Sequence, residues 1–216
     1  MSLGLAKTIK NCSIEQFKIA LKSLAFGCFY VIFMILIMDD GEQAFNKTVV
    51  EALTYFNFIF IVMAMMYHTN FLRTSAMVML MLGDTRRSLS VGRHISTALF
   101  VAEGAIIACL PMLADRSGVF SLRNVLITVL AVIMASGVGM ISGYFAQILG
   151  SKFQMITTVV IIVVVAVIAG IFFGLDSWNM NLSKALLIIS GIVAVVLYVI
   201  GTVLSNIYIR DMEVRV

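Results

Sequence analysis

Six stretches of this 216-residue chain run for 16 to 28 residues almost without charge: 23–38, 52–72, 95–114, 124–151, 153–175 and 185–209. Glu103 is the one Asp, Glu, Lys or Arg side chain in all six. About 20 consecutive apolar residues in a helix cross a hydrocarbon core roughly 30 Å thick. Lipid offers no partner to an unpaired backbone amide, so a spanning segment must satisfy its own hydrogen bonds as a helix or join a closed barrel. The runs are continuous rather than alternating, which selects helices. With hydrophobic residues at 62% and charged residues at 12%, six spans and their connections use up the chain and leave no length for a soluble catalytic domain. The expected fold class is all-α: a single polytopic membrane domain, residues 1–216, with six transmembrane helices. The 23–38 run is the shortest, about 24 Å of helix, and gains reach if Lys22 snorkels.

Charge distribution then sets the orientation. Six spans return both termini to one side, and that side collects eleven of the fifteen Lys and Arg residues: Lys7, Lys10, Lys18, Lys22, Arg73, Arg86, Arg87, Arg93, Lys152, Arg210 and Arg215. Lys47, Arg116, Arg123 and Lys184 fall on the other side, together with Asp39, Asp40, Glu42, Glu51, Asp115 and Asp176. The bias places both termini in the cytoplasm of a multi-pass cell-membrane protein. The net charge of +4 is assigned to loops facing anionic lipid, not to nucleic acid. The first run begins after 22 residues and ends in Met38-Asp39-Asp40, which predicts an uncleaved anchor. Cys12, Cys28 and Cys109 are odd in number and scattered, a poor pattern for a disulfide or a metal site.

Two segments outside the spans carry pattern. In residues 1–22, Leu3, Leu5, Ile9, Ile14, Phe17, Ile19 and Leu21 alternate with four lysines, the composition of an amphipathic helix lying on the cytoplasmic surface. A plain cytoplasmic extension of the first span is the alternative. The connection from Asn70 to His94 is apolar through Leu82 and then breaks at Gly83-Asp84-Thr85-Arg86-Arg87-Ser88-Leu89. Gly83 is placed to end one helix, and Asp84 or Thr85 to cap the next. The spacing predicts a short cytoplasmic helix with Arg86, Arg87 and Leu89 projecting. Such a helix serves either as a lipid-facing positive cluster or as a docking element, since Arg is favoured at protein interfaces.

A basic surface helix, two spans, a loop reading Leu82-Gly83-Asp84-Thr85-Arg86-Arg87 and four further spans resemble the permease subunits of type-2 ATP-binding-cassette exporters. The Gly-x-Thr-Arg pattern is similar to that of the small bacterial members that export peptides or confer peptide resistance. The resemblance implies a cytoplasmic coupling helix between spans two and three that inserts into a separate ATPase subunit. Gly83, Thr85, Arg86 and Arg87 would lie at that interface, with Asp84, Ser88 and Leu89 added by adjacency. It also implies a second permease half, identical or related, no cofactor in this chain, and ATP and Mg on the partner subunit.

The chemistry in the chain agrees with a non-enzymatic part. Gly150-Ser151-Lys152 lacks the spacing of a phosphate-binding loop, and no His-Glu-x-x-His pattern is present. His68 and His94 read as interfacial polar residues, Asn57 and Gln147 as hydrogen-bonding links between helices. Ala135, Gly139 and Gly143 repeat every four residues, the spacing that lets a neighbouring helix approach closely. Glu103 stands ten residues beyond Arg93, about 15 Å along a helix, near the middle of the bilayer. An ionisable group there must face protein or water. It either receives a cationic part of a cargo or is a protonated structural partner of a Ser or Thr on another span. The reading of function is half of an exporter's translocation pathway for a peptide or amphipathic small molecule. Its alternative is a non-transporting polytopic protein of the immunity or accessory kind; an intramembrane enzyme lacks its catalytic set.

Overall fold

A computed structural model describes residues 3–37, 42–114, 122–149 and 184–211, and all regular structure among them is helical. The helices are α1 (Leu3–Ile37), α2 (Glu42–Asn70), a one-turn π-helix (Phe71–Ser75), α3 (Ala76–Met81), α4 (Arg86–Ala114), α5 (Leu122–Ile148) and α6 (Lys184–Asp211). Three of them, within Arg86–Leu110, Val125–Ile148 and Leu187–Asp211, are long and apolar enough to cross a membrane. These correspond to the expected third, fourth and sixth spans. The expected first and second spans lie within α1 and α2, whereas the fifth, 153–175, is outside the described residues.

Two expected local breaks are absent. Residues 3–22 do not form a separate surface helix: they continue into the first apolar run as one 35-residue helix. No Gly or Pro interrupts Lys18 to Leu24, so nothing in the backbone would turn the helix off its axis. Nor is the Asn70–His94 connection a loop with its own helix. The second helix runs on through the π-turn and α3 to Met81, and α4 starts at Arg86, only a few residues later.

Contacts give the directions. Lys7 Nζ donates to the Leu82 carbonyl at 3.1 Å, which brings the start of α1 to the α3–α4 turn. Gly27 of α1 abuts the Phe56 ring of α2, so these two helices are antiparallel. In α5 and α6, Gly137 meets Leu197 and Tyr198 while Gln147 meets Tyr208, so this pair is parallel. The end of α5 and the start of α6 therefore lie at opposite ends of the bundle. The start of α1, the α3–α4 turn and the end of α6 share one end.

α5 is the centre, packed on α2, α4 and α6, while α1 leans on α2 and α4. Its small residues permit this. A Cβ on Gly139 would run into the Met65 carbonyl oxygen, and one on Gly143 would lie 2.9 Å from that of Thr69. On the opposite face a Cβ on Gly137 would lie 2.7 Å from the Leu197 backbone. The Ala135, Gly139 and Gly143 stripe thus brings α2 to backbone contact, and Gly137 does the same for α6. Around them, Phe60 and Tyr67 of α2 close on Phe100 of α4, with ring centroids 5.7 and 5.2 Å from it, and Phe71 of the π-turn packs on Tyr67. Asn57 donates to Thr128 Oγ1 at 2.7 Å and the Tyr208 hydroxyl to Gln147 at 3.3 Å, each linking two helices as expected.

Candidate functional site

The α3–α4 turn is closed by two local motifs. Gly83 has φ +88°, its N–H donates to the Leu80 carbonyl, and the Asp84 N–H donates to Met79. That is the paired closure of a Schellman ending, which calls for a left-handed residue at this position. Thr85, not Asp84, is the N-cap of α4. Its Oγ1 accepts from the Ser88 N–H at 3.1 Å, and Ser88 Oγ accepts from the Thr85 N–H at 3.1 Å. This is the reciprocal pattern of a capping box with Ser in the Glu position.

The turn divides its residues between two fates. Gly83, Thr85, Arg86 and Arg87 are exposed. Asp84, Ser88 and Leu89 are buried, and Leu89 belongs to the central apolar core. The expected projecting Leu89 is thus corrected: position 89 falls on the inward face of a helix that begins at Arg86, and that face is fixed by packing rather than by local spacing. What projects is a pair of arginines on the first turn of a 29-residue core helix.

Glu103 is half-buried and accepts a hydrogen bond from Gln16 Nε2 at 3.4 Å. The partner is neither Ser nor Thr but a buried glutamine from the stretch expected on the membrane surface. Glu103 consequently lies level with the part of α1 that exposes Lys18 and Lys22, not within a wholly apolar layer.

A third set of residues was not singled out as a site by the sequence. Arg93, counted with the loop charges, is fully buried. Its Nη2 donates to Asn206 Oδ1 of α6 at 2.9 Å, and Ser90 Oγ donates to the same oxygen at 2.9 Å. At the next residue, His94 Nδ1 is 2.7 Å from the Tyr198 hydroxyl. Thr97 Oγ1 lies 3.3 Å from Nε2 of His68, which is wholly enclosed, and Ser96 Oγ lies 3.2 Å from the Tyr67 hydroxyl. His68 and His94 are thus interior links of a polar layer joining α2, α4 and α6. The signal was present in the sequence: Ser90, Arg93, His94 and Thr97 fall at i, i+3, i+4 and i+7, one face of a helix. The expected boundary between the connection and the third span, at 94/95, cuts across that face.

The layer contains a guanidinium but no carboxylate bonded to it among the described residues. Arg93 Nε and Nη1 and His68 Nδ1 are buried without a hydrogen-bond partner. No three His, Cys, Asp or Glu side chains among the described residues come together to hold a metal. Comparison of the chain with protein-family models, with curated proteins and with solved structures found no match.

Proposed function

We propose that this chain is the membrane-spanning half of an ATP-driven exporter, coupled through the α3–α4 turn to a separate ATPase subunit. The observation that carries the reading is the exposed Arg86–Arg87 pair on a turn clamped at both ends. The Schellman closure fixes the end of α3, the Thr85–Ser88 box fixes the start of α4, and Leu89 locks that first turn into the core. A soluble partner that engages the two arginines would push on α4 itself, a helix running the length of the bundle. No loop would absorb the displacement.

The remaining parts of the reading follow from charge and direction. The start of α1, the turn and the end of α6 share one end of the bundle, the end rich in Lys and Arg, which supports a cytoplasmic location for both termini. The parallel course of α5 and α6 supports a further crossing between them, and hence six spans. A second permease half, identical or related, would complete the pathway for a peptide or amphipathic cargo. ATP and Mg would reside on the partner ATPase.

The test is to purify the tagged chain from native membranes and assay the eluate for a co-retained ATPase. The wild-type chain retains a polypeptide with a phosphate-binding loop and nucleotide-stimulated hydrolysis. Replacing Arg86 and Arg87 with Glu removes both while the permease stays folded, because reversing charge at an interface costs several kcal/mol. A wild-type chain that retains no ATPase would instead favour the non-transporting accessory reading.

A further inference from the structure

Arg93 poses a problem that the described helices do not solve. A buried ionised group is costly unless its charge is paired and its hydrogen bonds are made. Here Asn206 supplies a neutral acceptor to one guanidinium nitrogen, and two nitrogens are left without any. The other described groups that interact electrostatically with Arg93 are His68, His94 and Tyr198, none of which is a carboxylate. The rest of the layer consists of hydroxyls and an amide. Among the described residues it is a site with surplus donors and no negative charge.

Arg93 itself is fully enclosed, but several residues around it are not. Ser90, His94, Tyr198 and Asn206, which border Arg93 between α4 and α6, are only half-buried. Beside them α6 exposes Val199, Ile200, Val203 and Ile207 as an apolar strip. Arg93 lies seven residues into α4, about 10 Å from the end of the bundle that carries the turn. A charged donor group at that depth, beside an apolar helix face, matches the level of a phosphate at a bilayer interface. The guanidinium fork matches a phosphate oxyanion in geometry as well as charge.

We infer that Arg93 and Asn206, with Ser90 beside them, form a binding site for a phosphate oxyanion between α4 and α6. The oxyanion supplies the acceptors and the countercharge that the described residues lack. A phospholipid headgroup and a free phosphate ion share this chemistry. The inference concerns only this chain's own helices and stands whether or not an ATPase docks on the turn.

The experiment follows the melting temperature of the full-length protein under two kinds of probe. In detergent, inorganic phosphate is titrated against chloride at equal ionic strength. In lipid nanodiscs, phosphatidylglycerol is compared with phosphatidylcholine. A saturable rise of about 5 °C or more is expected from one probe. Phosphate alone effective identifies the free ion, and phosphatidylglycerol alone identifies the headgroup. Arg93→Lys, which keeps the charge but loses the fork, weakens the response at least tenfold in concentration. Asn206→Asp places a carboxylate against the guanidinium; it melts higher than wild type without a probe and no longer responds to one. The aspartate variant keeps the test decisive if the lysine variant fails to fold. No saturable rise with either probe, or an undiminished response in Asn206→Asp, overturns the inference.

Discussion

At the scale of single residues, Glu103 and Gln16 separate two explanations of one carboxyl group. Both its structural and its cargo-receiving reading were open in the sequence; the contact with Gln16 now gives it a definite neutral partner on α1. A structural pair predicts that Glu103→Gln is nearly silent, because two amides replace one carboxyl–amide bond without leaving a donor unmatched. Glu103→Ala would strand a buried glutamine whose Oε1 already lacks a partner, at a cost of about 1–3 kcal/mol. Thermal melts of the two variants read this directly. A Gln variant with wild-type melting and abolished export would return the residue to the cargo pathway. The partner itself was not legible beforehand, because 87 residues separate the two side chains and no local pattern links them.

At the scale of elements, the bundle depends on where α5 carries no side chain. Gly139→Ala forces a methyl group onto the Met65 backbone oxygen, which a helix can relieve only by shifting as a unit. A destabilisation of about 1–3 kcal/mol is expected. Gly191 on α6 is the control. Among the described residues a Cβ there would meet only Leu130 Cδ2, at 3.9 Å, so Gly191→Ala should be neutral or stabilise by up to about 1 kcal/mol through helix propensity. Paired melting curves distinguish them, and equal losses at both positions would mean that α2 does not approach α5 as closely as described. The stripe at 135, 139 and 143 was legible, since four-residue spacing of small side chains is a local property. Which helix fills it was not, since α2, α4 and α6 are all apolar enough to do so.

At the scale of the whole molecule, the end-to-end arrangement can be read out by sidedness. In a background with its native cysteines replaced, Arg87→Cys and Arg210→Cys, both exposed at the turn end, should react with a membrane-impermeant thiol reagent from one side only. A cysteine in place of Lys184, where α6 begins at the other end, should react from the opposite side. Reaction of positions 87 and 210 from opposite sides would break the common end. Reaction of position 184 with them would break the single crossing by α6. Ser88, next to Arg87 on the turn, is buried, and a cysteine there would report on packing instead.

What the sequence determined by itself was the set of properties that act over one to four residues or over a sum. Apolar run length specified helices suited to a membrane. Gly83 ended α3 because only a residue tolerant of positive φ closes that turn, and the start of α4 was narrowed to Asp84 or Thr85, between which the structure chose Thr85, whose hydroxyl reaches the Ser88 amide. Tertiary structure decided what each helix face meets. It made residues 3–37 one helix, since no breaker competes with continued backbone hydrogen bonding once Gln16 is buried against α4. It turned Leu89 inward and left Arg86 and Arg87 outside, because α4 has one side to offer the core. It also drew Arg93, by composition a surface charge, into a layer with Asn206, His94 and His68, an outcome that depends on three helices meeting at one level, and which no count of charges along the chain can express.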